Sequence, residues 1–338
     1  MKEKETKKEQ TVYVGIDVSK KSLDICVLLE SSSKTEKVKN NKKAIELFFK
    51  RLQKQLGSYN IHVCLENTGY YNWATYEAME TLSPITLFVI SPLHIKRSIG
   101  LVRGKNDAID AERIASFLRT NQNSLKPFII PRKIIRSLQA LVAQRKRLVE
   151  MKSKISVPSN ELKSFADKTL IKQIMKTSAE ALKTIVSQVL VIEKQIEKLI
   201  NEDPSLKEKY NQITSIQGVG KVLCWSILIK TNEFKSINDP RKLACYAGVV
   251  PFEYSSGTSI FKKPRVSVMA DRTLKKLLHM AAMRAIQIQG DLQSYYQRKV
   301  AEGKNKMLVL NNVRNKIVAR ICSVVKNQKT YIINLNLS

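Results

Sequence analysis

A chain of 338 residues has room for two or three domains, and its 43% hydrophobic share is that of a globular protein rather than a disordered one. Lys and Arg number 59 against 29 Asp and Glu, a formal net charge of +30; solubility needs far less, so a polyanionic partner is expected, nucleic acid before a membrane surface. No apolar run reaches the ~20 residues of a spanning helix, and the charged start Met1–Gln10 lacks the apolar core of a signal peptide. Three histidines and no Cys-x-x-Cys leave little for a zinc site or a Ser–His–Asp triad. Cys26, Cys64, Cys224, Cys245 and Cys322 read as small hydrophobes of a reducing compartment, which makes a cytoplasmic protein the expectation. If this is an enzyme, carboxylates are its machinery.

In chain order, residues 1–10 read as a solvated tail. Tyr13–Val18 alternates as a strand, with Val12, Val14 and Ile16 on one face and Tyr13, Gly15 and Asp17 on the other. Leu23–Leu29 is a second strand and Lys34–Lys39 a candidate third. Asn40 or Asn41 is placed to cap a helix through Ala44–Leu56, which Gly57 ends. Ile61–Leu65 is a short buried strand ending at Glu66. A helix at Trp73–Leu82, broken by Pro84, leads to a strand at Thr86–Ile90; a helix opened by Pro92 and ending near Gly100 precedes another at Asp107–Arg119. Three strands, helix, strand, helix, strand, helices is the order of a ribonuclease-H-like fold over 11–128. Residues 129–208 are helical and charged, and Pro158 is expected to interrupt them. Leu182, Ile185, Val189, Ile192, Ile196 and Leu199 form a heptad seam, read as a coiled coil within the chain or between copies, or as a plain helix packed in its own domain. Residues 209–338 form a second, mainly helical globular unit.

Acidic residues are scarce, so those in apolar settings stand out. Asp17 lies inside the first strand, and Gly15, two residues back on the same face, is expected to leave open space beside it. Glu66 ends the fourth strand at the sheet's edge. At ~100° per residue, Asp107, Asp110, Ile114, Phe117 and Leu118 share one helix face, and two carboxylates a turn apart repel unless a cation lies between them. Glu112 falls away from that face, as an ordinary solvent charge. Such groups from two strands and a helix are able to converge on Mg²⁺. A salt bridge is the alternative for Asp17, and a helix cap for Asp107. Actin-like and sugar-kinase ATPases also begin with a strand and an Asp, but their phosphate loop needs glycine after it, and here the run is Asp17-Val18-Ser19-Lys20-Lys21.

Four stretches together resemble one family: Tyr-Val-Gly-Ile-Asp-Val-Ser-Lys at 13–20, Leu-Glu-Asn-Thr-Gly-Tyr-Tyr at 65–71, Gly-Leu-Val-Arg-Gly-Lys-Asn-Asp-Ala-Ile-Asp-Ala-Glu-Arg-Ile-Ala at 100–115, and Ile-Gln-Gly-Val-Gly at 216–220 followed by Ala-Gly-Val-Val-Pro-Phe-Glu-Tyr-Ser-Ser-Gly at 247–257. They are similar to the DEDD insertion-sequence transposases, the family numbered one hundred and ten. The resemblance implies a RuvC-like N-terminal domain, a coiled-coil middle and a C-terminal transposase domain. It implies a metal-binding tetrad at Asp17, Glu66, Asp107 and Asp110, with Mg²⁺, two ions being the expectation. It further implies a nucleophilic serine before a glycine, Ser256 with Ser255 as the fallback, and a phosphoserine link to DNA. Its partners would be donor and target DNA, a structured guide (bridge) RNA, and further copies of the chain, as dimer or tetramer, through 182–199. One departure is the apolar run Val266-Ser267-Val268-Met269-Ala270 after the serine.

Several positions read as nucleic-acid contacts. Gly218, Gly220 and Lys221 resemble half of a helix-hairpin-helix, whose N–H groups suit a phosphate; a tight turn between core helices is the alternative. Arg103 and Lys105 flank the tetrad, and Lys262, Lys263 and Arg265 follow the serine. Arg132, Lys133, Arg136, Arg145, Lys146 and Arg147 make a basic stretch, and any of these clusters is equally a solvated face. Tyr70, Tyr71 and Trp73 read first as core packing and second as base-stacking residues. The competing functions are a junction-resolving nuclease that uses water, and a non-catalytic nucleic-acid-binding protein.

Overall fold

A computed structural model describes residues 10–30, 32–57, 59–82, 84–99, 107–256 and 260–332. The chain divides into two compact units that meet in sequence between Ile130 and Pro131. In the first, strands β1 (Thr11–Val18), β2 (Ser22–Leu28) and β3 (Ser33–Lys39) precede helix α1 (Lys42–Leu56); β4 (Asn60–Glu66), α2 (Trp73–Met79), β5 (Ile85–Ile90), α3 (Pro92–Ile99) and α4 (Asp107–Asn121) follow. The sheet order is β3-β2-β1-β4-β5, antiparallel through β1, β2 and β3 and parallel through β1, β4 and β5. This is the ribonuclease-H-like arrangement that the order of elements predicts.

Alternation in β1 decides the layers. Val12, Val14, Ile16 and Val18 lie in a core with Ile45 and Phe49 of α1 and Tyr76 of α2. On the other face Tyr13 packs with Cys26 and Leu28 of β2 and with Ala111 and Ala115 of α4. The helix caps follow local chemistry: Asn41 accepts the Ala44 N–H at 2.9 Å to start α1, and Gly57 ends it at φ 61°. Gly15 does not leave open space. A Cβ there would stand 2.1 Å from Ala111 O and 2.4 Å from Ala115 N, so the missing side chain is what lets α4 lie directly on β1.

The second unit opens with two long helices, α5 (Lys133–Glu161) and α6 (Lys168–Glu202). The break expected at Pro158 does not occur there. Pro158 sits in the last turn of α5, where the helix loses one bond shortly before its end, and the chain reverses after it at Leu162–Ser164. Asp167 then caps α6, accepting the N–H groups of Thr169 and Leu170. The C-terminal part of the heptad seam packs within the chain: Ile192 and Ile196 of α6 and Ile135 and Leu138 of α5 lie in one core cluster, and Arg145 of α5 meets Glu193 of α6 at 2.6 Å.

Helices α7 (Pro204–Thr214), α8 (Lys221–Lys230) and α9 (Pro240–Tyr246), a hairpin of β6 (Phe252–Ser256) and β7 (Ile260–Arg265), and helices α10 (Arg272–Ala285), α11 (Asp291–Ala301) and α12 (Lys306–Lys326) complete the unit. Its centre is Trp225 of α8, wholly buried, with the Lys221 ammonium 5.7 Å and the Arg145 guanidinium 5.9 Å from its ring centroid. Among the described residues, no helix is long and apolar enough to cross a membrane.

Candidate active site

The parallel pairing of β1 with β4 runs to Ile16 against Leu65, so Asp17 and Glu66 come next at the same ends of neighbouring strands. Asp17 alternates with Gly15, which puts it on the face that α4 covers. Asp110 projects from α4 at the rim of that face; Ala111, Ile114, Ala115, Phe117 and Leu118 bury the helix, and Asp110 stays half-exposed. Asp107 is the first residue of α4, one turn ahead.

The electrostatics tie three of these groups together. Glu66 holds its proton above the usual carboxylate range, first because it is half-buried, then because the Asp17 and Asp110 carboxylates face it. Like charges gathered in this way favour either a proton or a cation. Among the described residues no three acidic or thiol groups stand at ligating distance, and Asp110 turns to Arg113 at 2.7 Å. An all-carboxylate donor set of this kind suits a hard divalent cation and not zinc.

A further acid belongs to this face and the sequence reading passed over it. Asp24 of β2 lies directly opposite Asp17 in the antiparallel register, on the same side of the sheet, and is only 7% exposed. Its cation is Lys37, its cross-strand neighbour on β3, at 3.6 Å. The signal available in sequence was a carboxylate inside the apolar run Leu23-Asp24-Ile25-Cys26. After Glu66 the chain makes a tight turn in which Asn72, fully buried, donates to Glu66 O at 2.8 Å. Trp73 packs on the core, whereas Tyr70 and Tyr71 stay exposed, so core packing holds for one of the three aromatics.

Ser255 and Ser256 are the last residues of β6, and Ser256 pairs with Ile260 across the hairpin end. Both serines thus belong to a strand, and Gly257 lies outside the described residues. Lys262, Lys263 and Arg265 lie on the returning strand β7. Arg103 and Lys105 fall outside the described residues.

Other basic candidates serve the fold. Lys221 reaches Glu193 at 2.7 Å and Glu197 at 3.3 Å, so its partly exposed ammonium is already paired with two acids of the fold. Gly218 adopts φ +82° and lies against α10, where a Cβ would stand 2.3 Å from Ala281 O; Gly220 caps α8 with open space beside it. Arg132 bonds both Asp203, at 2.7 Å, and the buried Glu233. Arg136 is 3% exposed and donates to Pro131 O. Arg132 and Arg136, with Arg145, are thus engaged within the fold, and of the three only Arg136 is buried.

Comparison with known proteins agrees over most of the chain. Residues 14–171 match the DEDD model of the IS110 type, described as "Transposase", and residues 210–297 match "Transposase IS116/IS110/IS902 family". The chain is 23% identical over 328 residues to the "Pilin gene-inverting protein" of Moraxella lacunata, covering 94% of this chain and 97% of that one; the protein of the same name from Moraxella bovis matches equally. It is 26% identical over 160 residues to the "Insertion element IS110 uncharacterized 43.6 kDa protein" of Streptomyces coelicolor, covering 47% of this chain and 38% of that one. A solved structure of T. thermophilus RuvC in complex with Holliday junction substrate aligns at 14% identity with a TM-score of 0.28, over 35% of this chain and 100% of that chain, too slight to add to what the strand order says.

Proposed function

This chain belongs to the DEDD transposases of the IS110 type and is an enzyme that acts on DNA, and from that premise we propose that it cuts and rejoins DNA with Ser256 as nucleophile, a metal-binding tetrad, and a structured RNA as guide. The observation that carries the reading is the gathering of Asp17, Asp110 and Glu66 on one face, where burial first and then the two like charges raise the affinity of Glu66 for its proton. Asp17, Glu66, Asp107 and Asp110 would hold the divalent cations, two Mg²⁺, whose charge lowers the cost of charge building up on the phosphate.

The protein's own chemistry then needs one exchange performed twice. The Ser256 hydroxyl oxygen attacks a DNA phosphorus and gives up its proton; the bond from phosphorus to the departing deoxyribose oxygen breaks, and that sugar leaves as a hydroxyl. One phosphodiester is lost and one, to serine, is made. A deoxyribose hydroxyl from the other DNA end attacks the serine phosphodiester, restoring the Ser256 hydroxyl and joining new ends. No bond energy is lost, which suits inversion and insertion alike; relatives named pilin gene-inverting proteins fit this outcome. Lys262, Lys263 and Arg265, on the strand after the serine, are assigned to the DNA backbone, together with Arg103, Lys105 and the N–H groups near Gly220. Lys221 and Gly218 are withdrawn from that set. Further copies of the chain, as dimer or tetramer through 182–199, bring one copy's serine to another's tetrad, and Val186, Leu190 and Val191 are exposed apolar side chains on that segment.

The test is to purify the tagged protein from its host and sequence the small RNAs that accompany it. One discrete structured RNA encoded beside the gene is expected, and DNA matching its loops becomes the substrate. Cleavage should then be lost in both Asp17→Ala and Ser256→Ala. Random cellular RNA, or cleavage that survives Ser256→Ala but not Asp17→Ala, moves the reading to a junction nuclease that uses water.

A further inference from the structure

Arg314 of α12 is 7% exposed. A guanidinium so placed needs a counter-charge or a full set of acceptors, because removing a cation from water is costly unless it is paired. Elsewhere in this unit that rule is kept: Arg132 meets Asp203 and Glu233, Arg145 meets Glu193, and Arg320 meets Asp291. Among the described residues Arg314 has only neutral partners. Its Nη2 meets Nδ1 of His279 at 2.8 Å, its Nη1 reaches Oδ1 of Asn311 at 3.4 Å, and its Nε–H is buried with no acceptor. Burial alone pulls its pKa down, with no acid opposing.

The surroundings place this charge. Asn311 donates to Val249 O at 2.8 Å, rooting that turn of α12 on the segment that leads into β6. One residue earlier, a Cβ on Gly248 would stand 3.6 Å from Cδ of Lys275, so a second cationic side chain runs past the same segment. Asp271, at the start of α10, is already held by Lys230 at 2.9 Å. His279 and Asn311 are only partly buried, which leaves the cluster an edge in solvent. His279 accepts from a guanidinium through Nδ1, so its imidazole is neutral with the proton on Nε2; burial, then the Arg314 charge, lowers its pKa.

We propose that Arg314, with His279 and Asn311 beside it, binds a backbone phosphate of the DNA at the base of the β6–β7 hairpin. Arg314 is the residue type suited to a phosphate fork, and the phosphate supplies the counter-charge that the fold withholds. The assignment rests on the family's action on DNA and deepens the proposed function, but it does not depend on Ser256 being the nucleophile.

Two measurements on the full chain test it. With only three histidines, the His279 ring resonance is followed by NMR while inorganic phosphate replaces chloride at constant ionic strength. The resonance should move and its pKa rise as bound phosphate offsets the guanidinium; an unmoved His279 overturns the site, and this arm needs no variant. In the second arm, duplex DNA binding is measured against salt for Arg314→Gln. Affinity should fall several-fold on any sequence and the log–log salt slope should flatten by about one. A folded Arg314→Gln with an unchanged slope refutes DNA as the occupant even if phosphate moves His279, because the site then takes the free ion. Should Arg314→Gln not fold, a short duplex replaces phosphate in the first arm, and an unmoved His279 again overturns the proposal.

Discussion

Replacing Gly15 with Ala adds one methyl group, and the structure sets what it must do. The new Cβ stands 2.1 Å from Ala111 O, 2.4 Å from Ala115 N and 3.0 Å from Ala115 Cα, all of them backbone atoms of α4. No side chain is available to swing aside. An ordinary carbon–oxygen contact is about 3.4 Å, so α4 has to retreat from β1 by roughly 1 Å along that line. Overpacking of this kind costs about 1–3 kcal/mol, a fall of roughly 5 °C or more in the midpoint of a domain this size. The same helix carries Asp107 and Asp110, and a site of this type tolerates displacements of only about 0.5 Å. Thermal unfolding with and without millimolar Mg²⁺ or Mn²⁺ reads both effects. The parent should gain stability from the metal, about 2.7 kcal/mol at a hundredfold excess over Kd, and Gly15→Ala should lose midpoint and most of that gain. A Gly15→Ala protein that melts with the parent, or keeps the full metal increment, refutes the reasoning.

Glu66→Gln tests the like-charge cluster from the other side. The folded protein holds the Glu66 proton more tightly than the unfolded chain does, so the stability linked to this group is present at low pH and is lost as pH rises through its raised folded value. Metal-free Glu66→Gln should therefore be slightly more stable than the parent at pH 7, by well under ~1 kcal/mol for a group only half-buried and screened by solvent, yet gain less from Mg²⁺; melts from pH 4 to 8 that rank the parent higher at neutral pH would contradict this. Arg132→Ala leaves the buried Glu233 with Lys235, 3.8 Å away, as its remaining cation and should cost up to about 3 kcal/mol without changing the salt slope of DNA binding; a stable Arg132→Ala with a flatter slope would restore Arg132 to the DNA surface. Lys221→Gln should behave likewise on a smaller scale, leaving the slope intact because Glu193 and Glu197 already hold that ammonium.

Much of the N-terminal unit was legible because period-two alternation carries two facts at once, strand and face. Val12, Val14 and Ile16 predicted a buried side, and Asp17 stood out on the other. What fills a gap is not legible: Gly15 reads as space, and only the approach of α4 shows it to be a contact. Likewise the spacing from Leu182 to Leu199 predicts a buried stripe without naming its partner, which for the C-terminal part turns out to be α5 of the same chain. Charge counting has the same blind spot, since Arg132, Arg145 and Lys221 look free until Asp203, Glu233 and Glu193 arrive from distant positions. Asp24 required the hairpin register that sets it opposite Asp17. Arg314 left a readable sign, lying at helical spacing from the buried Ile317, Val318 and Ile321, on what is otherwise an apolar face. Ser256 stands apart, because nothing in its local sequence separates a nucleophile from a polar strand end, and only resemblance to the family singles it out.

The most direct test of the whole account is to trap the protein on its guide-matched DNA with Mg²⁺, denature it, and map any DNA that stays attached by peptide mass spectrometry. A single phosphodiester-linked peptide carrying Ser256, absent without metal and in Asp17→Ala, is the predicted result. Cleaved DNA with no attached protein, or attachment at a residue other than Ser256, would contradict it.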